Sequence, residues 1–238
     1  MSAVILVTGG ANRIGLAISE FLLEKGHHVI IHYRHSKKNA QSLVEKWGAE
    51  RISLLEMDLL QDGWIPQLQN HLEGYDRLDG IVNNAAAFLR QPFSEWDVVD
   101  AEKLWRLNCA VPISILQVCQ PWLEKSPIAS VVNIIDNSSA ERPWSNYASY
   151  AGSKSALMAM TKSLAKELAP QIRLNAVGPG VIQCEANESN LTQTLLNQIP
   201  MQRWGSSLEI AQTVEFLLFG PKYILGQLII VDGGWGLH

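Results

Sequence analysis

Tyr150 and Lys154, in the stretch "YASYAGSK", stand four residues apart in a segment of helical period and so share one helix face. An ammonium beside a phenol favours the phenolate and lowers the phenol's pKa, so such a tyrosine can exchange a proton with a reacting molecule near neutral pH. Upstream, the apolar run Val131-Val132-Asn133-Ile134-Ile135 stops at an acid, Asp136. These three residues are the candidates for chemistry, and the rest of the chain must position them.

Apolar, β-rich runs alternate with segments of helical period. Strands are expected at Val4–Val7, Val29–Tyr33, Ile52–Glu56, Leu78–Asn83, Ser130–Ile135, Ile172–Val177 and Gln227–Val231. Helices are expected at Arg13–Lys25, Lys37–Trp47, Asp62–Leu72, Ala101–Leu123, Tyr147–Leu168 and Leu208–Leu218. That alternation predicts an α/β fold: a single Rossmann-type, doubly wound domain over residues 1–238, with a seven-stranded parallel sheet and helices on both faces. The least regular piece, 179–207, is long enough to be a substrate lid. The chain has 238 residues, 47% hydrophobic and 18% charged, with net charge −4, so no basic field points to nucleic acid or an anionic membrane. No run approaches the roughly 20 apolar residues of a membrane span. Three scattered cysteines and no leader-like start point to the cytoplasm. The six histidines lie mostly at element ends without metal-ligand spacing, so no metal site is expected.

"VTGGANRIG" follows the first strand and opens the first helix, the place where glycines bring a dinucleotide's phosphates to a helix N-terminus. Gly9, Asn12, Arg13 and Ile14 are the expected contacts, with Arg13 standing where a glycine is usual. Strand two ends in "HYRHSKKN", which lacks the acid that grips a free ribose 2′-hydroxyl. Arg34, His35 and Ser36, with Arg13, offer cations and a hydroxyl for a 2′-phosphate, so NADP(H) is preferred; a solvated basic face is the plainer alternative. Asp58 and Leu59, past strand three, fit the adenine. Asn84 and Ala85, past strand four, let the backbone run under the ribose, unless the asparagine merely caps a helix. Pro179, Gly180, Val181 and Ile182 are expected beneath the nicotinamide.

Taken in order, "TGGANRIG", "NNAA", Asn108, "YAGSK" and "GQLIIVDGG" resemble the short-chain dehydrogenase/reductase family from end to end. By that resemblance Tyr150 is the proton donor, Lys154 tunes it and binds the nicotinamide ribose, and Asn108 supports a relay water. The family normally ends strand five in a serine that bonds a substrate carbonyl, and Asp136 holds that place here. A carboxylate suits a developing alkoxide poorly, because like charges meet; it suits a nitrogen heterocycle whose amino edge must be held. The Asp-Tyr-Lys set, Arg13, "HYRHS" and Phe88 in "NNAAAFLRQPF" are similar to the pteridine and dihydromonapterin reductases. That implies a pterin substrate touching Arg13, Phe88, Asp136 and Tyr150, NADPH as hydride source, and a homo-tetramer. A carbonyl reductase using Ser138, acting on 3-oxoacyl thioesters or sugars, is the alternative within the enzymes. A non-catalytic NADP-sensing module is the alternative outside them.

Overall fold

The computed structural model describes residues 2–137, 144–183 and 196–237. Seven strands, β1 Val4–Val7, β2 His28–Tyr33, β3 Ile52–Glu56, β4 Gly80–Asn83, β5 Ser130–Ile134, β6 Arg173–Pro179 and β7 Leu228–Val231, form one sheet. Its order is β3-β2-β1-β4-β5-β6-β7, and every pairing is parallel. The order reverses beside β1, whose neighbours are β2 and β4, and the loops that leave the carboxyl ends of those strands diverge into a crevice.

The helices are α1 Arg13–Glu24, α2 Lys37–Trp47, α3 Trp64–Leu72, α4 Val98–Trp105, α5 Val111–Leu123, α6 Ala148–Leu168 and α7 Ser207–Phe219. Both faces of the sheet are covered, as the continuous apolar strands require. On one face Ile18 and Leu22 of α1, Leu43 of α2 and Val214 of α7 pack on Ile5, Val7 and Val29. On the other, Leu68 of α3, Ile115 of α5 and Ala165 of α6 pack on Leu6, Ile30 and Val131.

Two boundaries depart from the sequence expectation for identifiable reasons. β4 starts at Gly80 rather than Leu78, because the Leu78 amide donates to the Trp122 carbonyl of α5 and not to a neighbouring strand. The helix expected over Ala101–Leu123 is interrupted by a π-helical turn at Arg106–Ala110, where the Val111 amide reaches back to the Arg106 carbonyl. Pro112 has no N–H, so the Asn108 carbonyl lacks its ordinary α-helical donor and the ladder slips there. Within the expected lid, residues 184–195 lie outside the described residues, and Ile182 bridges to Gly205. No helix among the described residues is long and apolar enough to cross a membrane, and no metal-binding cluster is found among them.

Candidate functional site

A crevice of about 440 Å³ opens at the sheet's point of reversal. Gly9, Asn12, Arg13, Ile14, Arg34, His35, Ser36, Asp58, Leu59, Asn84 and Ala85 all line it, so eleven residues singled out in the sequence share one wall. Its glycine turn is tightly made: a Cβ on Gly15 would lie 2.1 Å from the Gly9 carbonyl oxygen and 2.5 Å from Asn84 Nδ2. Asn84 caps no helix. Its Nδ2 donates to the carbonyls of Thr8, at 2.9 Å, and Gly9, at 3.3 Å, tying the end of β4 to the turn.

Arg13 opens α1 with φ of 47°, the left-handed region where glycine is at ease and an arginine is strained. The glycine expected there is thus replaced at a cost, and what the replacement adds is an exposed cation at the mouth of the turn. The N-cap residues Asn12 of α1 and Ser36 of α2 make no side-chain cap bond, and neither helix carries an acid in its first turn. Two helix N-termini therefore face the crevice without a negative group of their own, which suits phosphate. The cations are partly engaged: Arg34 lies 3.8 Å from Asp58, and Lys37 lies 3.4 Å from Glu56. Asp58 also accepts from the Leu60 amide through Oδ1, so an adenine contact there would compete with standing bonds.

From the crevice's inner wall, Ala85 and Ala86, the chain runs through Ala87 to Phe88 and the catalytic candidates. Tyr150 is buried, and its hydroxyl donates to Asp136 Oδ2 at 3.0 Å. Lys154 is buried one turn further, and its Nζ donates to the Ile134 carbonyl at 2.7 Å. β5 and α6 therefore deliver Asp136, Tyr150 and Lys154 to one place, with Asp136 two residues past Ile134, the last residue of β5. The electrostatics correct one expectation. The Tyr150 pKa is raised, not lowered, because burial and the Asp136 carboxylate both penalise phenolate. Burial of Lys154 pushes its own pKa down to about 8. In this state the pair is a protonated phenol hydrogen-bonded to a carboxylate.

Asn108, in the π-helical turn, is fully buried, and its side chain is spent. Oδ1 accepts from the Ala87 amide at 2.8 Å, and Nδ2 donates to the Ala87 carbonyl and to Ser153 Oγ. The side chain thus pins the segment leading to Phe88, which leaves only the backbone carbonyl for a relay water. Phe88 stacks on Tyr147 at 4.6 Å and meets Tyr150 edge-on at 4.8 Å, so one of its faces is already covered. Trp144, in contact with Phe88, Tyr147 and Trp235, completes an aromatic wall beside Tyr150. Pro179, Gly180, Val181 and Ile182 lie at the end of β6, tied to β7 by the Gly180 amide and to Gly205 through Val181. Ser138, Ser139 and Cys184 fall outside the described residues.

His32 has no role among the sequence-based site candidates, yet it is buried on β2 and lines the crevice. Its position inside the apolar run "HVIIHY" was the available signal, since a strand between two others has both faces covered.

The crevice, the glycine turn and the tyrosine–lysine helix define a dinucleotide-dependent oxidoreductase site. The family described as enoyl-(acyl carrier protein) reductase matches residues 9–236. The chain is 32% identical to the 3-oxoacyl-[acyl-carrier-protein] reductase FabG of Staphylococcus aureus, covering 98% of each chain. It is 32% identical to the FabG of Thermotoga maritima, over 97% of this chain and 96% of that one. Among solved structures, a blue fluorescent protein from a metagenomic library, in complex with NADPH, superposes with a TM-score of 0.90 at 29% identity, covering 98% and 97% of the two chains. A short-chain dehydrogenase/reductase of Serratia marcescens superposes with a TM-score of 0.91 at 25% identity, covering 98% of each. The chain belongs to the short-chain dehydrogenase/reductase family.

Proposed function

We propose that this oxidoreductase, with NADP(H) as its cofactor, reduces the C=N bond of a dihydropterin. One observation carries the reading: a carboxylate, Asp136, occupies the end of β5 and holds the hydroxyl of Tyr150 at 3.0 Å. In ketone reduction the reacting oxygen gains negative charge, and a carboxylate beside it is repulsive. A pterin presents an amino-pyrimidine edge that donates hydrogen bonds, and a carboxylate accepts them with charge assistance.

The crevice residues fit the cofactor. The glycine turn excludes even a methyl group, two helix N-termini face the crevice, and Arg13 and Arg34 stand where a 2′-phosphate needs cations. When bound, NADPH supplies the hydride. In the proposed assignment Lys154 orients the nicotinamide ribose and Asp136 holds the heterocycle. Tyr150 Oη keeps a proton beside the reacting nitrogen, and the exposed Phe88 stacks the ring. Burial around Tyr150 keeps that proton on the phenol at neutral pH, as reduction requires of a donor. Arg13 would meet the substrate as well as the phosphates, and the assembly would be a homo-tetramer.

The names of the sequence relatives favour a second reading, reduction of a 3-oxoacyl thioester. Relatives at this identity share a fold that serves many substrates, so the residue at the reaction centre weighs more than the name. NADPH oxidation, followed by absorbance with 7,8-dihydropterins and with 3-oxoacyl thioesters, tests the choice. Turnover of a dihydropterin at the higher kcat/KM supports the proposal. Turnover of the thioester alone refutes it, and oxidation with neither favours a binding module.

A further inference from the structure

His32 is 3% exposed, lies beneath the crevice, and takes no part in the proposed proton handling or charge clamp. Its Nδ1 accepts from the Gly9 amide at 3.1 Å, and its Nε2 lies 3.0 Å from the Met57 carbonyl. A carbonyl can only accept, so Nε2 carries the proton; Nδ1, receiving an N–H, carries none. The two bonds together specify the neutral Nε2–H tautomer. The backbone carbonyl of the same residue accepts from the Gly10 amide at 2.9 Å. Two successive amides of the glycine turn are therefore held by residue 32. Gly9, at φ +62°, is a backbone with more freedom than any other residue type, and the ring removes that freedom. Through Met57 the same ring reaches the wall that carries Asp58.

We propose that His32 is a positioning residue for the cofactor: a neutral imidazole strut that sets the height of the phosphate turn and links it to the adenine-side wall. The proposal holds whichever substrate the enzyme takes. A cationic ring would set an N–H against the Gly9 N–H, so protonation breaks the strut. Burial already disfavours that cation, with the Met57 carbonyl and Asp58 pulling the other way. The other charged or titratable groups around the crevice are Arg13, Tyr33, Arg34 and His35. Because the folded pKa lies below the ordinary 6.5, the strut persists at neutral pH and fails as pH falls through the folded value.

The test is the NADPH dissociation constant, by fluorescence titration of the full chain across the mildly acidic to neutral range. Wild type is compared with His32→Asn, which keeps an acceptor near Nδ1, His32→Gln, which keeps a donor near Nε2, and His32→Leu, which keeps neither. The expected result is roughly tenfold weaker binding in the leucine variant and a smaller loss in the asparagine variant, with the KM for the second substrate unchanged. The 2′-phosphate titrates in the same range for every variant. The expected signature is therefore an acid-side loss in wild type exceeding that in His32→Asn. Nitrogen NMR of the ring is expected to show the neutral Nε2–H form at neutral pH. The idea is overturned if folded His32→Leu binds NADPH within about twofold of wild type. Should the leucine variant not fold, equal affinities for wild type, asparagine and glutamine variants overturn it.

Discussion

Lys154 gives the sharpest thermodynamic prediction, because it is an ammonium that folding takes wholly out of water. Its folded pKa is about 8 against an ordinary 10.5, with burial as the leading cause. Between those values the unfolded chain binds more protons than the folded one, so stability rises with pH across that window. Integrated over the full window the gain is about 3 kcal/mol, at roughly 1.36 kcal/mol for each pH unit. Between about pH 7 and about pH 9.5 it amounts to roughly 2 kcal/mol, or about 4–8 °C in Tm for a chain of this size. Lys154→Met removes the titration while keeping most of the side chain's bulk. Urea unfolding of both proteins at several pH values isolates the lysine as the difference between two curves, since every other group titrates in both. The gap should close or reverse toward lower pH, where the ammonium is costliest, and move in favour of wild type by about 2 kcal/mol at the alkaline end. Activity should be lost in the variant throughout. Parallel stability curves would refute the claim that the fold carries a destabilised cation there.

Other consequences follow from single contacts. Gly15→Ala places a Cβ 2.1 Å from the Gly9 carbonyl, so the turn must open, and NADPH binding measured by calorimetry should fall at least tenfold, as expected when an overpacked site shifts by about 1–3 kcal/mol. Arg34→Ala should weaken NADPH about tenfold while leaving NADH nearly unchanged, which a cofactor-preference ratio reads directly. Ser206 begins α7 with a reciprocal capping box to Glu209, whose carboxyl is held down to about 2 by Arg203 and the Ser206 amide. Ser206→Ala should cost about 1 kcal/mol, seen as a lower urea midpoint at unchanged slope.

The strands and most helices were legible because parallel sheets in this architecture bury both faces, which leaves continuous apolar runs such as "VILV" and "SVVNI". The crevice was legible because glycine spacing and charge are local signals. What sequence could not supply were consequences of tertiary placement. Tyr150 and Lys154 share a helix face, yet burial and then Asp136, not the lysine, dominate the phenol. Asn108 was found as a residue, but not its grip on Ala87, which depends on Pro112 displacing the helix ladder. His32 was passed over because its two partners, Gly9 and Met57, come from β1 and β3 loops far apart in the chain.

The central claim is that a carboxylate at the end of β5 selects a heterocyclic amine over a carbonyl. It is tested most directly by the ratio of kcat/KM for a 7,8-dihydropterin to that for a 3-oxoacyl thioester, in wild type and in Asp136→Ser. The account predicts that the ratio favours the pterin in wild type and falls about a hundredfold or more on substitution, the cost of losing a charge-assisted bond in a buried site. A variant that keeps or raises thioester reduction, from a wild type that never turns over any dihydropterin, would contradict it.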